Sequence, residues 1–452
     1  MKRFLFLLPT FLACVFSGHA AKVVKSDGMV TVSPDGGQAR TVCLQVVGDG
    51  IVRVRATSAD ALPKKSASLM IVPQQGKPVF NVSETDEQVV VTTAKMKAVV
   101  GKRTGALSFY DSEGKTLLRE AADGKKFWAY RVPDREIGVD VAKVPEKQRN
   151  GLTWQMVFDS PADEAFYGLG QHQSGELNMK GKNEDLFQYN TKVSVPFVIS
   201  NKNYGILWDS YSYCRFGQAE DYVQLSRVFR LYDKEGREGC LPGIYTDKDG
   251  RQIVRQEDSI YYEYACPPKS ELANRTDTGG IRNLPKGFNL DGAKVVYEGS
   301  IEPRPGSVKG DFQFILYYAG YVRVYIGGEE VVPEIWRTSW NPNAHKFTCH
   351  VPEGVRSQLR IEWQPDGGES YCGLRVAKPR SREEREQLSI WSEMAQDMDY
   401  YVIVGQSMDE VIGGYRTLTG HAPVYPKWAL GYWQSRERYK TSQEIEDRKS
   451  VV

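Results

Sequence analysis

From Val52 onward the stretch Ile51-Val52-Arg53-Val54-Arg55 alternates between apolar and charged residues, and from Ala21 to about Ser226 the sequence reads as strands joined by tight turns. With Val52 and Val54 on one face and both arginines on the other, it predicts a half-buried strand whose arginines face outward. Val89 to Val91 and Ala98 to Val100 are further β-branched runs. Ala106 to Tyr110 and Thr116 to Leu118 flank the turn residues Asp111-Ser112-Glu113-Gly114, which predicts a hairpin. Gly205 to Trp208 adds another strand. No helical period is sustained between Ala21 and Ser226, so two packed antiparallel sheets are the natural outcome.

A second β-rich block runs from about Val228 to Lys378. Asp311 to Tyr318 alternates with Phe312, Phe314 and Leu316 on one face. Tyr321 to Ile326 alternates again and turns at Gly327-Gly328 into Glu329 to Val332. Leu359, Ile361 and Trp363 share a face, and Glu369 to Leu374 with Arg375 to Ala377 would close a second sandwich. Ser381 to Gln387 is a charged connector, and Tyr400 to Val404 is one more strand. Ser407-Met408-Asp409-Glu410 opens a helix over Asp409 to Thr417, with acidic residues in its first turn.

The tail changes character. Ala429-Leu430-Gly431-Tyr432-Trp433 is nearly continuous in its apolarity, which predicts a strand buried on both faces, as in a parallel barrel. Thr441-Ser442-Gln443-Glu444 is a Thr-x-x-Glu capping box that should start a helix. An unpaired hydrophobic strand at 429–433 would be an aggregation hazard.

Composition narrows the function. With 452 residues, 41% apolar and 26% charged, the chain is ordinary globular protein, long enough for two or three domains. Lys2 and Arg3, the apolar run Phe4 to Phe16 and the small-residue site Gly18-His19-Ala20 read as a secretory signal peptide over 1–20, too short to span a membrane. The expected location is therefore the periplasm or cell surface of a bacterium. Leu12-Ala13-Cys14 is a weak lipoprotein signal, with Phe11 where leucine is preferred. Beyond Lys2 and Arg3 the 59 basic residues fall to 57, equal to the 57 acidic ones. A nucleic-acid binder would carry a basic excess.

Seven cysteines are present, with no CxxC pair and no zinc-like spacing. Free buried thiols are the simpler reading; Cys349 and Cys372 are the pair to test for a disulfide. The chain has no phosphate-binding loop, no His-Glu-x-x-His and no Gly-x-Ser-x-Gly. Gly168-Leu169-Gly170 lacks the third glycine and helix of a dinucleotide site, so it reads as a strand turn. His345 and His350 have no third ligand in sequence. Asp397 and Asp399 are calcium candidates, with solvated surface acids as the default. No metal or cofactor is expected.

Three stretches carry specific information: Glu164-Ala165-Phe166-Tyr167-Gly168-Leu169-Gly170-Gln171; Asn183-Glu184-Asp185-Leu186-Phe187-Gln188-Tyr189-Asn190, leading into Val195 to Ser200 and Tyr204 to Asp209; and Pro426-Lys427-Trp428-Ala429-Leu430-Gly431-Tyr432-Trp433-Gln434-Ser435-Arg436. In this order they resemble glycoside hydrolase family 31, over about Lys22 to Ser226 and Leu388 to Glu446. The block between resembles a lectin-like sandwich of the protective-antigen type, with Gly239 to Thr246 as its opening strand and Tyr321 to Tyr325 in its central hairpin. An insertion at this point is similar to the architecture of bacterial α-xylosidases that trim xyloglucan.

The resemblance implies a mainly β fold. A galactose-mutarotase-like antiparallel sandwich would occupy 21–226, an inserted sandwich 227–384, a return and linker 385–424, and the first β/α unit of a (β/α)8 barrel 425–452. It also implies a retaining hydrolase acting on α-linked terminal sugars of a xyloglucan-like oligosaccharide. The two aspartates of such an enzyme, about 5–5.5 Å apart, would lie on later barrel strands. A barrel needs about 250 residues, so neither aspartate is expected in this chain and the chain alone is expected to be inactive. Gln188, Tyr189 and Asn190 are expected to reach over the barrel mouth and touch the sugar. Trp433, Gln434 and Arg436 are expected at the C-terminal end of the first barrel strand, where barrel sites are built. Trp336, Trp340 and Tyr371 are candidates for extending the site from the inserted sandwich. The competing reading is a non-catalytic carbohydrate-binding sandwich protein; a weaker one is a structural protein of a surface assembly.

Overall fold

A computed structural model of the chain describes residues 21–449 except 66, 75, 131–150, 173–174, 189–191, 218–221, 258–259, 261–284, 289–290, 307–309, 339–343, 366–369 and 434–437. Two β-sandwiches account for most of these. The first joins an eight-stranded sheet to a nine-stranded one, and every strand pair in both is antiparallel. Their facing sides form one core in which Val52, Val54, Phe109, Trp154, Phe158, Trp208 and Tyr400 are fully buried. The strands Gln387–Ala395 and Met398–Val404 complete both sheets, so the chain returns to the first sandwich after leaving it. The helix Met408–Thr419, capped by Ser407, packs on the outer face of the eight-stranded sheet through Val411 and Leu418.

The inserted sandwich pairs a four-stranded sheet with a seven-stranded one. Val223–Gln224 pairs with Cys372–Ala377 at its edge. Asp311–Tyr318 sits at the centre of the smaller sheet, and Phe312, Phe314 and Leu316 point inward, as the alternation predicts. They meet Val322, Val324, Leu359, Ile361 and Trp363 from the larger sheet. The connector near Ser381 forms the short helix Arg382–Arg385, closed by a Ser381/Glu384 capping box.

Two expectations are corrected. Ala429 to Trp433 is not a strand: Lys427–Leu430 is one 3-10 turn and the residues after it are irregular. A continuous apolar strand needs parallel neighbours on both sides, and none is present among the described residues; Trp428, Leu430, Tyr432 and Trp433 all stand exposed. The helix expected next does form, over Ser442–Lys449, with Thr441 Oγ1 accepting the Glu444 amide.

Asp397 and Asp399 are not solvated surface acids, because antiparallel pairing of Met398–Val404 with Ile51–Thr57 sets them beside Arg53 and Arg55. Arg53 donates a fork to Asp399 at 2.9 and 2.7 Å. Arg55 donates to Asp397 at 2.7 Å, and Lys65 bridges both acids at 2.8 and 2.7 Å. Both carboxylates are buried. Burial raises Asp397, whereas at Asp399 the Arg53 hydrogen bond and charge overcome burial and hold the carboxyl below its usual value. The outward-facing arginines thus bind acids rather than water, and Lys65 ties the following loop to the sheet.

Candidate functional site

The two sandwiches meet around a cavity of about 590 Å³. One wall comes from the first sandwich: the short strand Glu184–Leu186, its flanks and Tyr213. The other is the outer face of the inserted four-stranded sheet. There Gln313, Ile315 and Tyr317 alternate with the core-facing phenylalanines, beside Lys346 and Thr348 on His345–His350. The wall is mixed in character, with phenolic rings beside amides, an ammonium and carboxylates. That chemistry suits a polyhydroxylated ligand, which needs both faces to stack on and directional polar groups.

Asp185 is the best-defined acid of the cavity. It accepts from Tyr213 OH and lies 3.2 Å from Lys346 Nζ and 3.6 Å from Arg215 Nε. Arg215 is itself stacked over Tyr213 and Trp391. Burial works to raise the Asp185 carboxyl, but the Lys346 charge and the Tyr213 hydrogen bond hold it below the usual carboxylate range. Glu184 accepts from Lys192 at 3.1 Å and lies 3.2 Å from His172 Nδ1. Here too burial raises the carboxyl, while the adjacent His172 ring and the Lys346 and Lys192 charges bring it below its usual value. Lys346 moves the other way: burial lowers it, but Asp185 and Glu184 outweigh burial and raise it. Both acids are therefore ionised at neutral pH and poorly placed to donate a proton. They can hold hydroxyls and fix the wall.

Asn183 locks the same strand to the insertion. It donates to Gln313 Oε1 at 3.1 Å and accepts from Arg380 at 2.6 Å, and its carbonyl accepts from Lys346 Nζ.

The glycines of the Phe-Tyr-Gly-Leu-Gly stretch have a backbone explanation. Phe166–Gln171 pairs with Val193–Ser200 through a bulge at Leu169, which itself has φ 68°. Gly170 has φ 96°, and a side chain there would collide with the Val193 carbonyl. The bulge brings Leu169 O to 2.7 Å from His172 Nε2, which donates to it, and so turns the ring toward Glu184.

Of the residues expected to touch sugar, Gln188 is described and exposed. Its side chain donates to Ser194 O at 2.9 Å and accepts from Ser194 N at 3.1 Å, tying position 188 to the strand Val193–Ser200. Tyr189, Asn190, Gln434, Arg436 and Trp340 lie outside the described residues. Trp433 is 67% exposed, lies 6.1 Å from Trp428 and donates to the Ala429 carbonyl at 2.9 Å, within the turn that replaces the expected strand. Tyr371 is buried and Trp336 exposed, so the two are not brought together at the cavity.

Sequence reasoning missed Asp185, Glu184, Lys192, Tyr213 and Lys346. Glu184 and Asp185 stood inside a quoted motif, and two acids on a strand were the available signal. Lys346 gave none, because its partner is 161 positions away. Among the described residues no group of three histidine, cysteine or acidic side chains could hold a metal, and no helix is long and apolar enough to cross a membrane. Cys349 and Cys372 are not joined by a disulfide.

Residues 41–216 match the glycosyl hydrolase 31 N-terminal galactose mutarotase-like domain. The crystal structure of a GH31 α-xylosidase from Xanthomonas citri superposes with a TM-score of 0.78 and 36% identity, covering 94% of this chain and 44% of that one. An α-xylosidase of Saccharolobus solfataricus is 61% identical over 61 residues, 14% of this chain and 8% of the relative. An uncharacterized family 31 glucosidase of Pseudescherichia vulneris is 27% identical over 207 residues, 42% of this chain and 37% of the relative. The chain thus spans less than half the length of each of these relatives.

Proposed function

We propose that this chain, which carries the N-terminal galactose mutarotase-like domain of the family 31 glycoside hydrolases, forms the substrate-framing part of an exported, retaining α-xylosidase acting on xyloglucan-like oligosaccharides. One observation carries this reading. Similarity to the Xanthomonas citri α-xylosidase extends over 94% of the chain and so takes in both sandwiches, the insertion included.

In this account the two sandwiches divide the work. The first supplies the loop 188–194, with Gln188 positioning Tyr189 and Asn190 to contact the terminal sugar. The residues at 433–436 supply Trp433, Gln434 and Arg436 from the barrel side. The inserted sandwich closes the junction cavity, where neutral hydroxyl-bearing units beyond the terminal sugar are held by Tyr213, Tyr317 and the Lys346–Asp185 pair. The reacting carboxylates belong to a barrel. Among the described residues every strand pair is antiparallel, which supports inactivity of this stretch by itself.

Proton NMR of xyloglucan oligosaccharides during digestion tests the proposal. The whole protein is expected to release xylose first as the α-anomer, as double displacement requires, and residues 21–452 alone to release none. Initial β-xylose, or no xylose from the whole protein, overturns it.

A further inference from the structure

Residues 58–80 link the strand Ile51–Thr57 of the eight-stranded sheet to the strand Asn81–Glu84 at the edge of the nine-stranded one, with no helix or strand among their described residues. The segment crosses the outer side of the eight-stranded sheet. A cavity of about 1030 Å³ lies between, with Val47, Arg53 and Tyr401 on the sheet side and Lys65, Val72 and Phe80 on the other. Continuous packing therefore does not hold the segment; discrete contacts do. At its root Thr41 Oγ1 donates to Ala59 O at 2.9 Å, and Arg55 donates to Pro63 O at 2.8 Å. Lys65 then places its ammonium between Asp397 and Asp399, 2.8 and 2.7 Å from their carboxylates. Further on, the Leu69 amide donates to the Tyr211 hydroxyl at 2.7 Å.

Past Leu69 the segment meets the helix Met408–Thr419. The last carbonyls of a helix have no partner within it. Here Arg416 O accepts from the Gly420 amide, and the next two carbonyls are served from the segment. Leu418 O accepts from the Val72 amide at 2.8 Å, and Thr417 O from the Gln74 side chain at 3.2 Å. Ile71 packs against the small core that Val411 and Leu418 make with the sheet. A side chain at Gly420 would meet Val72 at 3.3 Å, so the chain leaves the helix directly against the segment. Pro423 and Pro426 restrict φ on the way to Trp433, which carries the direction of exit forward.

We propose that residues 58–80 clamp the exit of this helix, with Lys65 as the fastening, and that Lys65 is thereby a positioning residue for Trp433. The second part rests on the functional reading, which places Trp433 at the sugar; the clamp itself does not. Lys65 is separable from the fold of the sheet. Without it Asp399 keeps the two-pronged contact from Arg53 and Asp397 keeps Arg55, so both buried carboxylates stay paired. What is lost is the tie between segment and sheet, and with it the hold of Val72 and Gln74 on the helix end.

Hydrogen–deuterium exchange of the whole protein, with kinetics on xyloglucan oligosaccharides, tests both parts. Lys65→Met is expected to speed exchange at the Leu69 and Val72 amides about tenfold. It is expected to raise KM about threefold with kcat unchanged, and Lys65→Arg to restore both. Gln74→Ala, an exposed change with little folding risk, is expected to speed Val72 exchange severalfold. Unchanged exchange in Lys65→Met or in Gln74→Ala overturns the clamp. Faster exchange with unchanged KM overturns the positioning role, as does a kcat lowered equally in Lys65→Arg and Lys65→Met. If the whole protein turns over no xyloglucan oligosaccharide, the functional reading fails and that role with it, while the exchange rates still decide the clamp.

Discussion

Lys346 on the inserted sandwich reaches Asp185 on the first sandwich at 3.2 Å, across 161 positions of sequence. The same ammonium also bonds to the Asn183 carbonyl. One side chain therefore fastens the insertion to the strand that forms the opposite wall of the junction cavity.

Replacing Lys346 with Met keeps the stem but removes the ammonium paired with Asp185, leaving that carboxylate only the more distant Arg215. Removing one partner of a largely buried pair costs several kcal/mol in dry interiors; with both groups partly open to solvent the loss here is about 2 kcal/mol. Urea denaturation read by tryptophan fluorescence should show that loss, with earlier cleavage between the sandwiches in limited proteolysis. An unchanged midpoint would show that the pair does not hold the domains.

The pH dependence follows from the same groups. Asp185 and Glu184 titrate below their unfolded values. Their contribution is therefore complete above about pH 4 and lost as pH falls through the folded values. Lys346 titrates above its unfolded value, so its contribution is complete below about pH 10 and lost as pH rises further. Denaturation midpoints should fall at both limits, and Asp185→Asn should flatten both limbs.

Arg53→Lys is expected to destabilise the first sandwich by about 2 kcal/mol, because a point charge cannot replace the two-pronged contact to the buried Asp399. Arg53→Ala should cost more, about 3 kcal/mol. Chemical denaturation of the two variants checks the order as well as the size.

Gly170→Ala should cost about 2–3 kcal/mol, since the backbone is left-handed there and the Val193 carbonyl occupies the side-chain position. Under the proposed sugar contact by Tyr189 and Asn190, which precede the strand Val193–Ser200, substrate KM in the whole protein should rise along with the loss of stability.

Much of the architecture was legible because its signal is local. Asp311 to Tyr318 alternates cleanly and forms a strand with those bounds, and the Ser407 cap with its acidic first turn marks the helix Met408–Thr419. The failures are places where a distant neighbour decides the outcome. Ala429 to Trp433 has the composition of a buried strand, but strand structure requires partners that composition cannot supply. Asp397 and Asp399 looked like surface acids because nothing nearby in sequence neutralises them; their cations come from Arg53, Arg55 and Lys65, more than three hundred positions earlier. The site was legible only in part for the same reason. Gln188 stands in a recognisable motif, but its bond to Ser194 is not legible there, and Lys346 became visible only once the two sandwiches were set together.

The central claim is that these paired sandwiches frame a substrate site specific for α-xylosides. Comparing kcat/KM of the whole protein for 4-nitrophenyl α-xyloside and 4-nitrophenyl α-glucoside tests it most directly. The account predicts a preference of at least about tenfold for the xyloside, a transition-state difference of about 1.4 kcal/mol. Equal rates, a preference for the glucoside, or no turnover of either would contradict it.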